Sequence, residues 1–140
     1  MTLLELLVVV AVMGLLGLIS IPSLRSLQVS LLNRVAARQV ASQVRSAKAE
    51  ALRRGEPVRV TFDTFHNRII YRIGTAPSSA HPLPATVDLY HTNFPANRLF
   101  FHPTGTPTSG GTVTLRTGGK LLYVIIVPVT GRVRISVSPP

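Results

Sequence analysis

The chain has 140 residues, enough for one domain with an adequate core and too few for a second, catalytic one. It contains no cysteine, which excludes a disulfide framework, a thiolate metal site and a cysteine nucleophile. With 15 Lys+Arg against 5 Asp+Glu the net charge is +10; this suits a polyanion or anionic membrane as partner, though arginine richness also accompanies genome composition or a hot habitat.

The composition is 46% hydrophobic and 14% charged, and much of the apolar excess sits at the N-terminus. Residues 6–21, LLVVVAVMGLLGLISI, carry no charge. As a helix they extend about 24 Å, or roughly 30 Å counted from Met1, just enough to span a bilayer. A secretory signal peptide would show a basic n-region and a small-x-small cleavage site, and this segment has neither. A soluble helix apolar on every side needs cover around its whole circumference, so lipid or neighbouring subunits must supply it. Glu5 sets the chemistry of the segment. A carboxylate at that depth costs on the order of a few kcal/mol unless it is paired or protonated. No basic residue precedes Arg25, so the nearby cation is the α-amino group of residue 1, most usefully that of a neighbouring chain. The alternative is a glutamate at a membrane interface reaching water.

The run Met1-Thr-Leu-Leu-Glu-Leu-Leu-Val-Val-Val resembles the mature N-terminus of type IV pilins and type II secretion pseudopilins, with Met1 where that family usually has phenylalanine. The resemblance implies that a prepilin peptidase cleaves a short basic leader and methylates the new N-terminus, here Met1. It makes Glu5 the assembly glutamate. It also implies a single-pass protein of the bacterial inner membrane that later enters a periplasmic or extracellular filament.

Farther along, Gly14, Gly17 and Ser20 weaken the helix before Pro22 removes a backbone donor, and a kink is expected over residues 14–22. Leu32, Ala36, Val40, Val44, Ala47 and Ala51 then recur at spacings of 3 and 4, predicting one buried face that packs on a sheet until Gly55 ends the helix. Its alanines predict close backbone approach. Arg34, Arg38, Arg45 and Lys48 fall on the opposite side within an arc of roughly 80°. That stripe reads either as an anion-binding surface or as a solvated, neighbour-facing one.

After Gly55 the pattern changes to short alternating runs at 57–62, 68–73, 87–91, 99–101, 112–116, 121–127 and 133–137, an antiparallel sheet region. Residues 75–84 and 103–111 read as surface loops. The blocks AKAEALRRG, Leu99-Phe-Phe-His-Pro-Thr-Gly, Gly111-Thr-Val-Thr-Leu and Thr130-Gly-Arg-Val-Arg-Ile-Ser are similar to successive blocks of the GspH/FimT-type pseudopilins and minor pilins. The fold implied is α+β and pilin-like, a long N-terminal helix, apolar in its first half, packed on an antiparallel β head. Residues 1–24 are expected to form the membrane or filament-core segment and 25–140 the head.

No catalytic residues, metal ligands or cofactor motif emerge: His66, His81, His91 and His102 are scattered, and only Glu50, Glu56, Asp63 and Asp88 join Glu5 as acids. His102 before Pro103 reads as a strand-end residue. Arg132 and Arg134 are two apart on a predicted strand, so they project from one face about 6.6 Å apart and can grip successive phosphates. A similar GRxR contributes to double-stranded DNA binding in some DNA-uptake minor pilins that the chain resembles, whereas a hairpin turn needs its glycine anyway. The expectation is therefore a non-enzymatic subunit of a type IV pilus or pseudopilus, with a DNA-binding minor pilin or a minor pseudopilin of type II secretion as alternatives.

Overall fold

The computed structural model describes residues 2–140, and side chains at all of these except 17–30 and 33. The chain divides into two compact units, residues 1–31 and 32–140. One α-helix, α1 (Leu3–Arg54), is assigned across both. It starts where the N–H groups of Glu5 and Leu6 bond the Thr2 carbonyl at 3.1 and 3.3 Å. The Glu5 carboxylate reaches back to accept the Thr2 N–H at 3.4 Å, half of a capping box. It stops at Gly55, whose φ of +65° is cheap only for glycine and whose N–H bonds the Ala51 carbonyl at 3.0 Å.

In the second unit, eight strands follow: β1 (Val58–Asp63), β2 (Arg68–Ile73), β3 (Ser79–Pro82), β4 (Asp88–Thr92), β5 (Arg98–Phe101), β6 (Gly111–Thr117), β7 (Lys120–Ile126) and β8 (Val133–Ser136). They form two antiparallel four-stranded sheets, ordered β3-β2-β1-β5 and β4-β6-β7-β8. Seven strands lie where alternation placed them. The eighth, β3, occupies the stretch expected as a loop. Its Ser-Ala-His-Pro sequence has no apolar alternation, but Ser79 to Pro82 pair with Tyr71 to Arg68 at the sheet edge, where a proline costs little.

Alternation along β1 buries Val58, Val60 and Phe62 and turns Arg59, Thr61 and Asp63 away from the core. Over the sheets lies the alanine face of α1, with Ala36, Ala37, Val40, Ala41, Val44, Ala47 and Ala51 all fully buried. Leu32, expected on this face, is 37% exposed: cover by the sheets begins at Ala36. Gln39 Nε2 bonds the Pro82 carbonyl of β3 at 3.1 Å, while Arg45 and Lys48 bond residues at the other sheet's β8 end, so the helix touches both sheets. Asn67, at φ +51°, joins the sheets by donating to the Val87 carbonyl (2.6 Å) and accepting the Leu89 N–H (2.9 Å).

The β1–β2 turn is closed by Asp63, which accepts from the His66 N–H (3.1 Å) and the Arg68 Nε (2.9 Å) and lies 2.9 Å from the His66 ring. Burial pushes its carboxyl up, but these partners together outweigh burial and lower it from 3.8 to about 2. Because the folded value lies below the unfolded one, the contribution to stability is complete above 3.8 and is lost as pH falls through about 2. Asp63→Asn should cost about 1 kcal/mol at neutral pH and flatten the acid limb of the stability profile between those values. Identical pH slopes in mutant and wild type would refute this.

Candidate assembly helix and basic groove

In the first unit, the described apolar side chains are exposed on every side of the helix, from Leu3 (83%) and Leu4 through Val8, Val9 and Val10 to Met13, Leu15 and Leu16. Glu5 is the one acidic residue among residues 2–16, and it is exposed too. Its described partner is the backbone of Thr2. Met1, the partner expected in a neighbour, lies outside the described residues, as do the side chains at the kink positions Gly17 and Pro22. At Gly14 an added Cβ would meet nothing within 4 Å. Among the residues described with their side chains no helix is long and apolar enough to cross a membrane; the span expected over 6–21 includes residues 17–21, outside that set.

In the second unit, two features that the sequence keeps about eighty positions apart come together. Arg132 and Arg134 are both exposed on and beside β8. Arg134 lies opposite Ile125, and the Arg132 carbonyl accepts the Val127 N–H at 2.9 Å, which extends the ladder by one step. Beyond that step the β7–β8 connection is a four-residue loop. Val129 and Gly131 take positive φ there (+68° and +62°), and the Gly131 N–H bonds the Val127 carbonyl at 3.0 Å.

Beside this hairpin runs the basic stripe of α1. Lys48 Nζ donates to the Thr130 carbonyl at 2.7 Å, and Arg45 donates to the Val133 carbonyl at 3.3 Å. On either side of the Arg45 contact the surface is hollow. One hollow of about 670 Å³ is lined by Arg45, Lys48, Ala49, Leu52 and residues 130–133. The other, about 470 Å³, is lined by Arg34, Arg38, Leu122, Ile135, Ser136 and Val137. No acidic residue lines either one.

The histidines do other work: His66 belongs to the Asp63 turn, and His102, one residue past β5, bonds the Thr106 carbonyl through its N–H at 2.9 Å. Among the described residues no three or more His, Cys, Asp or Glu side chains gather to hold a metal. Sequence reasoning missed the capping role of Glu5, although the spacing Thr2-x-x-Glu5 carries that signal. It also missed the groove, for which no local signal exists.

Residues 36–139 match the family model described as type II transport protein GspH. The minor pseudopilin EpsH from the type 2 secretion system of Vibrio cholerae is similar in structure, with a TM-score of 0.60 and 16% identity over 74% of this chain and 95% of that one. So is the type IV minor pilin FimU of Pseudomonas aeruginosa, with a TM-score of 0.59 and 17% identity over 74% of this chain and 91% of that one. At such identities the likeness establishes the fold: a helix packed on antiparallel sheets. No curated protein sequence matches the chain.

Proposed function

The chain belongs to the GspH family of type II transport proteins, and from that membership we infer that it is a structural, non-enzymatic subunit polymerising through its N-terminal helix into a type IV pilus or pseudopilus. The observation that carries this reading is the first unit: an apolar helix exposed on every described side, bearing a single carboxylate. Such a surface is stable only in lipid or among other apolar helices. The subunit first sits in the inner membrane, is cleaved there by a prepilin peptidase that leaves a methylated Met1, and then enters the filament with other pilins. Glu5 neutralises a neighbour's Met1 amine, and Gly14, Gly17 and Pro22 let the helix bend as subunits pack. Residues 1–24 serve the membrane and filament core, and residues 25–140 form the head.

Mass spectrometry of the native N-terminus, together with imaging of purified filaments, tests this. The expected result is an N-methylated residue 1 and the chain present in filaments. A native chain found only as a membrane monomer would overturn it.

A receptor for duplex DNA is the second reading, favoured by the exposed Arg132 and Arg134, but family membership and the exposed apolar helix weigh toward the subunit. If those arginines contact phosphates, Arg132→Gln with Arg134→Gln makes the salt dependence of duplex binding shallower by up to about two units, one per lost contact. An unchanged slope, or no wild-type binding at low salt, removes that reading.

A further inference from the structure

β8 is the outer strand of its sheet, paired only with β7. The Arg132 carbonyl turns toward Val127, so by antiparallel alternation Arg134 and Ser136 also turn their backbone groups toward β7. Val133 and Ile135 therefore turn theirs outward. The Val133 carbonyl is taken by Arg45, which leaves the Val133 N–H and the N–H and C=O of Ile135 presented along the sheet edge. Such an edge is a template for another strand, and this one faces a groove walled by the basic stripe of α1. The groove is chemically two-sided. Arg34, Arg38, Arg45 and Lys48 supply positive charge, while Ile135 and the 79% exposed Val137 supply apolar surface.

We propose that the groove between α1 and β8 binds an extended, acidic segment of a different chain by strand addition at the β8 edge. A strand turns alternate side chains to opposite sides, and Ile135 and Val137 share the face of buried Val133 and line one hollow with Arg34 and Arg38, so the side of the added strand turned toward α1 sets its carboxylates against the arginines while its other side lies beside Arg132 and Arg134. A second copy of this chain is a poor occupant. It brings a net charge of +10 and only five acidic residues, two of them in α1 and none alternating along a strand. Duplex DNA satisfies the cations but has no use for the Ile135 N–H and C=O. The binding chemistry stands apart from the subunit reading.

The test uses the full chain in detergent micelles and a fluorescein-labelled ten-residue peptide of alternating glutamate and valine, titrated by fluorescence anisotropy. The same peptide with glutamine for glutamate should bind at least about tenfold more weakly, and Arg45→Gln with Lys48→Gln should weaken the acidic peptide by a similar factor. Strand addition is read from the ligand, so it does not depend on how the variants fold. N-methylation of one alternate set of peptide amides should abolish binding, and methylation of the other set should leave it unchanged. Equal binding by both methylated peptides, equal binding by the glutamine peptide, or displacement of the acidic peptide by duplex DNA at lower concentration would each overturn the proposal. Glu5→Leu is carried in parallel. Loss of peptide binding with intact filament incorporation defeats the groove alone, and loss of the filament reading with intact peptide binding leaves the groove standing.

Discussion

Phe101→Ala is expected to destabilise the head by about 3–5 kcal/mol, whereas Phe100→Ala, one residue earlier, costs about 1 kcal/mol. The two side chains point to opposite faces of β5. Phe101 is fully buried, pairs across the ladder with Val58, and supports the β7–β8 loop: a Cβ built on Gly131 would lie 3.2 Å from its ring. Removing the ring leaves a cavity between β1 and the loop that holds Thr130 against Lys48. Phe100 lies on the outer face, where the Arg59 guanidinium sits 4.9 Å from its ring centre. For a domain of this size, 3–5 kcal/mol lowers the thermal midpoint by roughly 15 °C or more, readable from the loss of β-sheet circular dichroism. Equal losses in the two variants would mean that the inward and outward faces of β5 have been misassigned.

What the sequence made legible follows the range of the interactions involved. The alanine face of α1 could be read because a 3.6-residue period is local, and five of its six expected members are fully buried. Leu32 failed because periodicity places a residue on a face but says nothing of where the sheets begin to cover it. Most strands showed through alternation; β3 did not, since an edge strand of Ser, Ala, His and Pro buries little. The division into two sheets was hidden for another reason. It depends on β5 returning to pair with β1 while β4 pairs with β6, choices made by contacts remote in sequence. The groove is the extreme case. Arg45 and Val133 are 88 positions apart, so the basic stripe and the Gly-Arg-Val-Arg run read as separate features until the topology sets them side by side.

Glu5→Leu is expected to leave the chain inserted in the membrane and to reduce its incorporation into filaments by on the order of a hundredfold. The substitution raises the hydrophobicity of the segment, so partition into lipid is not impaired. On the proposed pairing with a neighbour's Met1, what is lost is a charge pair at one depth. An ion left unpaired among apolar helices costs about 3–5 kcal/mol, so the neighbour's Met1 amine, deprived of Glu5, disfavours docking by at least that hundredfold. The 3.4 Å contact to the Thr2 N–H gives Glu5 a second, local role as a helix cap, and the two roles must be separated. Glu5→Gln does this, because glutamine serves the capping box but carries no charge. If the carboxylate acts between subunits, Gln fails almost as badly as Leu; if it acts as a cap, Gln restores incorporation and Leu does not. The measurement is the ratio of protein in sheared, purified filaments to protein in the membrane fraction of the same cells, and normal incorporation of Glu5→Leu would defeat the pairing altogether.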